Sequence, residues 1–180
     1  MKKTFVAAMV AGISAMAAVH SASAATVNGG NVSFKGEVVN AACAVDSNSS
    51  NQTVNMGQVR LAELGKAAGT QASSRTPFSI QLNDCDPTVS AATQVVFNGI
   101  PAESNPSVLH AGQGSSSATG VGIQIFDNSG KPVALGKPSG KVTLIDGVNV
   151  LQFQSGFIST SDAPTAGDAS ATANFTLTYS

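Results

Sequence analysis

Ala25-Thr26-Val27-Asn28-Gly29-Gly30-Asn31-Val32-Ser33-Phe34-Lys35-Gly36-Glu37-Val38 alternates along its length. At a spacing of two, Gly30, Val32, Phe34, Gly36 and Val38 fall on one side, and Asn31, Ser33, Lys35 and Glu37 fall on the other. This is the pattern of an extended segment with one apolar face. Near a chain start such a segment gains order only by joining a sheet, either its own or another chain's. It is an ordinary first strand in one case and a strand handed to a neighbour in the other.

The residues before it read as a leader. Lys2 and Lys3 make a short positive region, Phe5 to Val19 is apolar and Ala-rich, and Ala22-Ser23-Ala24 has the small-x-small form of a cleavage site. Cutting after Ala24 is expected, which makes 1–24 a signal peptide. The apolar run is shorter than the roughly 20 residues a spanning helix needs, and no second run follows it. The mature chain is therefore expected to be exported and soluble, without inserting into a membrane.

Removing 24 of the 180 residues leaves 156, with seven basic residues against ten acidic ones and a formal charge of −3. That size suits one domain with a core. No basic field exists for nucleic acid or anionic lipid. His110 is the only imidazole left. The surface is rich in Ala, Ser, Thr, Gly and Asn, which suits a protein covered by copies of itself or exposed to a harsh outside.

Cys43 and Cys85 are an even pair in an exported chain, so a disulfide between them is the expectation. A bridge across about 40 residues would remove roughly 4 kcal/mol of unfolded-state entropy on the loop-closure model. That is a large share of a stability margin of about 5 to 15 kcal/mol. A redox or metal site fits poorly, because there is no Cys-x-x-Cys and one histidine with two distant cysteines is not a zinc set.

The remaining chain reads as strands. Glu37 to Val45 continues the opening segment, Val54 and Met56 sit among polar neighbours, and the Leu61, Leu64, Ala67 spacing fits one or two helical turns. Phe78, Ile80 and Leu82 alternate into Cys85, and Val95 and Phe97 share a side of 93–98. Pro101 to Thr119 reads as loop. Val121, Ile123 and Ile125 alternate into an Asp127-Asn128-Ser129-Gly130 turn, and Val142, Leu144, Leu151 and Phe153 suggest a further pair of strands around Asp146-Gly147. Ser161 to Ala169 is loop, after which Ala173, Phe175, Leu177 and Tyr179 alternate with Asn174, Thr176, Thr178 and Ser180. Apolar alternation running to the penultimate residue implies an end that is paired and packed. Short strands with turn signals and no long helix give an all-β sandwich.

Catalytic and ligand motifs do not assemble. Gly136-Lys137-Pro138-Ser139-Gly140-Lys141 has glycines one residue too close for a phosphate loop, and Val142 stands where Ser or Thr is required. Asp84 and Asp86 flank Cys85 without the further oxygen ligands of a calcium loop. No nucleophile elbow or zinc-protease motif occurs. No catalytic, cofactor-binding or metal residue is assigned, and the chain is not expected to be an enzyme.

The runs Val27-Asn28-Gly29-Gly30, Val32 to Val45, Gln52-Thr53-Val54, Gly57-Gln58-Val59-Arg60 and Ile80-Gln81-Leu82-Asn83-Asp84-Cys85-Asp86 resemble the major subunit of type 1 fimbriae in the chaperone–usher pilin family. The chain end resembles the family's chaperone-recognition pattern, with Tyr179 as the penultimate aromatic residue and Gly167 as the glycine fourteenth from the end.

The resemblance implies an incomplete immunoglobulin-like sandwich that is completed by a donor strand from a neighbouring subunit. A periplasmic chaperone would hold each subunit first, and the next subunit's extension would replace it at the outer-membrane usher. Carried over by position, 25–36 is the donor extension, with Val32 and Phe34 filling a groove, Gly30 as the small residue that lets strand exchange begin and Gly36 also in the donor strand, and 37–180 is the pilin domain. Gly167, Ala173, Phe175, Leu177 and Tyr179 would form the acceptor edge. Asn28 departs from the donor pattern, being polar where another anchor is expected. The implied partners are identical subunits head to tail, the chaperone, the usher and other fimbrial subunits, in a fimbrium on the cell surface. The alternatives are a minor pilin of the same system or a self-contained secreted binding domain whose first strand folds into its own sheet.

Overall fold

The computed structural model describes residues 26–180, and the leader predicted over 1–24 lies outside them. The chain divides after Glu37. Residues 26–37 belong to no helix or strand, and within them Val32 is 78% and Phe34 91% exposed. Gly30 has a φ of +107°, a left-handed conformation that a side chain would strain.

The unit Val38–Ser180 contains ten strands: β1 (Ala44–Val45), β2 (Thr76–Cys85), β3 (Ala92–Gly99), β4 (Pro101–Ala102), β5 (Asn105–His110), β6 (Val121–Asp127), β7 (Pro132–Val133), β8 (Val142–Thr143), β9 (Gly147–Ser159) and β10 (Ala173–Tyr179). One sheet runs β1-β2-β9-β6-β5-β4 with β7 beside β6, and the other runs β10-β3-β8. All named pairings are antiparallel.

The two sheets meet through phenylalanines. Phe97 of β3 packs edge-on to Phe153 of β9 at 5.1 Å, Phe78 of β2 stacks on Phe153 at 5.6 Å, and Phe175 of β10 reaches Phe97 at 6.5 Å. Edge-to-face and offset arrangements place the positive ring edge against the negative ring face. Ile80 and Leu82 have no exposed surface at all, and burying each stabilises the fold by about 1.5 to 3 kcal/mol. The expected disulfide is present between Cys43 and Cys85, with Cα atoms 4.1 Å apart, and it ties the start of β1 to the end of β2.

The expected strand over 37–45 is reduced to β1, which meets β2 at Ala44–Asn83 and Val45–Leu82. Alternation supplies a face, but a strand also needs a neighbour for its backbone groups. After β1 the Asp46 carboxylate accepts from the Asn48 amide and caps a single turn, α1 (Ser47–Ser50), which the composition had not signalled. The turn predicted near Leu61 is a 3-10 helix, Leu61–Glu63, and it seats Leu64 in the core.

The predicted loop over 101–119 contains β4 and β5, because Val108 and Leu109 reach the core despite their Pro, Ser and Asn neighbours. Strand β6 is buried on both faces instead of one: β9 and β5 flank it, and the Arg75 guanidinium lies 3.6 Å from the centre of the Phe126 ring on its outer side. The strands around Asp146-Gly147 do not pair with each other. Thr143 pairs with Ala92 in one sheet and Gly147 with Cys85 in the other. The crossing is closed by Asn149, whose side chain accepts from the Ile145 amide at 3.0 Å and donates to its carbonyl at 2.7 Å.

Candidate functional site: an open groove beside the last strand

Strand β10 pairs with β3 from Ala173–Gly99 to Tyr179–Thr93. It has no neighbour on its other side among the described strands. Its alternation resolves into two faces: Ala173, Phe175, Leu177 and Tyr179 are half-buried and pack on the core, while Asn174, Thr176 and Thr178 are exposed.

Beside this edge lies a groove of about 1080 Å3. Its floor is apolar, formed by Phe78, Ile80, Phe97, Leu109, Val121, Ile123, Ile125 and Phe157, and its far lip is residues 49–59. That lip carries no strand ladder over 52–60. Gln52 anchors it by donating to the Ser79 carbonyl at 3.0 Å, and Met56 and Val59 lean on the core. Asp168 is the one ionisable residue among those lining the groove, and its carboxylate is engaged by the Ser170 hydroxyl at 2.8 Å.

One end of the groove is closed by 165–170 folding against 112–119. Ala118 donates to the Asp168 carbonyl at 2.8 Å, Asp168 to that of Ser116 at 3.0 Å, and Gly112 to that of Ser170 at 2.8 Å. Gly167 lies so close to the backbone of Ser117 and Ala118 that a Cβ would overlap it. At the opposite end of β10 the Tyr179 hydroxyl donates to the Cys43 carbonyl at 3.3 Å. Burial pushes the Tyr179 phenol above its ordinary range, against the opposing effect of that bond.

Gly167, Ala173 and Phe175 therefore line the groove, while Leu177 and Tyr179 continue the same face of β10 beyond it. Gly30, Val32, Phe34 and Gly36 lie in the separate segment before Val38. Of the floor residues, Val121, Ile123 and Ile125 of β6 fall in an alternating run that the sequence marks as strand, whereas Leu109 of β5 falls in a stretch that reads as loop. Apolar alternation, the signal in β6, does not distinguish a covered core from an uncovered one. Of the other candidates, His110 ends β5 half-buried with its amide on the Ile100 carbonyl. Ser139 of the glycine-flanked run is a buried turn residue whose hydroxyl oxygen accepts from the Val95 amide at 3.0 Å. Asp86 closes a turn by accepting from the hydroxyl and amide of Thr88.

An apolar trough beside a strand edge that no other described strand pairs has the shape to take an extended segment, for which backbone bonds supply affinity and alternate side chains supply register. The family model described as fimbrial protein matches residues 32–180. The chain belongs to the fimbrial protein family. It is 50% identical over 165 residues to the type-1 fimbrial protein, C chain, of Escherichia coli, covering 90% of this chain and 89% of that one. It is 43% identical to the type-1 fimbrial protein, A chain, of Escherichia coli strain K12 over 98% of both chains. Among solved structures it matches the P pilus rod subunit PapA at 28% identity and a TM-score of 0.66, covering 78% of this chain and 100% of that one. It also matches a chaperone–usher pilus chain at 29% identity and a TM-score of 0.71, covering 87% of this chain and 100% of that one. This fimbrial subunit thus has the incomplete sandwich of a pilus rod subunit, interacts with other pilins in a filament and resides in a surface fimbrium.

Proposed function

We propose that the chain is a non-catalytic shaft subunit that polymerises by donor-strand exchange, after capture by a periplasmic chaperone and assembly at an outer-membrane usher. One observation carries this reading: the same chain holds an open apolar groove along β10 and, before Val38, an exposed segment with Val32 and Phe34 at alternate positions. Residues 25–36 of one subunit enter the groove of the next. Val32 and Phe34 meet its floor, and Gly30 and Gly36 pass where a side chain would obstruct. Burying Phe34 alone supplies about 1.5 to 3 kcal/mol. Such a contact is head to tail and does not close, so it propagates a filament. Gly167, Ala173, Phe175, Leu177 and Tyr179 form the edge that the chaperone holds first.

Material sheared from cells, run on a detergent gel unheated and then boiled, with microscopy of the same sample, tests this. Very large species that collapse to one band only on boiling, with rods visible, are expected. A monomer in both lanes would instead favour a rare component or a domain completed by its own first strand.

A further inference from the structure

The chain has two Asn-Gly pairs, Asn28-Gly29 and Asn98-Gly99, in opposite settings. Asn28 and Gly29 are exposed and outside any helix or strand, and a Cβ built on Gly29 would meet nothing within 4 Å. Asn98 is also exposed, but it is held in β3 opposite Asn174, and Gly99 sits opposite Ala173 with the Thr172 carbonyl oxygen 2.8 Å from where a Cβ would stand. Exposure is shared, and backbone freedom is not.

We propose that Asn28 is a self-catalysed deamidation site that is switched off when its segment is paired into a sheet. The Gly29 backbone nitrogen, having lost its proton to hydroxide, attacks Cγ of the Asn28 side chain. A nitrogen–carbon bond forms, the bond from Cγ to the side-chain nitrogen breaks, and ammonia leaves. Water then opens the five-membered succinimide at either carbonyl, giving aspartate or isoaspartate. The ring requires the Gly29 backbone nitrogen to swing towards the Asn28 side chain. Glycine permits this because no side chain hinders it, and an extended, hydrogen-bonded strand forbids it. Asn31 supplies the contrast within the same exposed segment, since β-branched Val32 follows it.

The consequence for assembly rests on the donor reading. Asn28 shares the side of Gly30, Val32 and Phe34, so the product carboxylate faces an apolar groove whose one ionisable lining residue is the acidic Asp168. Isoaspartate also adds a backbone carbon and breaks the alternation. Subunits left unpolymerised thereby lose donor competence with time, while assembled ones keep theirs.

The test incubates purified unpolymerised chain and sheared fibres side by side at mildly alkaline pH. Peptide mass spectrometry follows the gain of a single mass unit at Asn28, Asn31 and Asn98. In the unpolymerised chain Asn28 should convert at least about tenfold faster than the other two, and in fibres it should slow by a comparable factor, because reaction then waits on local opening. Equal rates at Asn28 and Asn31 in the unpolymerised chain would overturn the proposal. So would heat-stable fibres in which Asn28 converts at the unpolymerised rate, an outcome that leaves donor-strand assembly standing. Absence of fibres would count against the assembly reading alone, and the comparison of Asn28 with Asn31 would still decide the chemistry.

Discussion

The Tyr179 hydroxyl donates to the backbone carbonyl of Cys43, 3.3 Å away and 136 residues earlier in the chain. This bond fastens the last strand to the segment held by the disulfide. Tyr179→Phe should therefore cost about 0.5 to 1.5 kcal/mol in denaturant unfolding while keeping the ring's packing. Because burial holds the phenol above its unfolded value of about 10, its contribution is complete below that pH and declines as pH rises through the folded value. An alkaline decline that is identical in wild type and Tyr179→Phe would show that the phenol is not its source.

Phe34→Asp should abolish polymers and leave chaperone-bound monomer recoverable, because a carboxylate in an apolar groove is costly unless paired. Fibres of normal length from this variant would remove Phe34 from the donor role.

Deleting 173–180 removes β10 and with it one side of the groove. Chaperone capture should be lost in pull-down and the chain degraded in the periplasm. A truncated chain that is still captured would place recognition elsewhere.

Gly167→Ala should destabilise the subunit by about 1 to 3 kcal/mol, since the added Cβ pushes on the backbone of Ser117 and Ala118. Thermal unfolding of the purified chain reads this, and an unchanged midpoint would mean that the 112–119 loop yields freely.

Three carboxyls are held below their ordinary range. Asp46 is held chiefly by the Asn83 side chain and then the Asn48 amide, and Asp86 by the hydroxyl and amide of Thr88. At Asp127 burial acts upward but is outweighed by bonds from Ser129 and Lys131. Depressed folded values mean that this stabilisation is complete above the unfolded value of about 3.9 and is lost as pH falls through the folded values. Unfolding midpoints should stay level from neutral pH to about 4 and fall below it, with a shallower fall in Asp127→Asn. A fall already complete at pH 5 would point to other groups.

Much of the fold was legible in short runs. Phe78-Ser79-Ile80-Gln81-Leu82 announced β2, the last eight residues announced β10, and an even cysteine pair in an exported chain announced the disulfide. Strand β5 was missed because Pro and Ser at its start resemble loop composition, although tertiary packing seats Val108 and Leu109 in the core. The role of Gly147 was misread because a turn signal fixes a change of direction without saying which sheet receives the next strand.

By itself the sequence determined which faces are apolar, because side-chain alternation is written directly into the chain: Val32 with Phe34, and Phe175 with Leu177. Only the tertiary structure decided which of those faces has a neighbour. Pairing depends on residues far apart in sequence meeting in space, as Phe175 does with Phe97 while no other described strand meets the outer edge of β10. The groove exists for that reason: its floor gathers β2, β3, β5, β6 and β9, and no local pattern records that they converge without a cover.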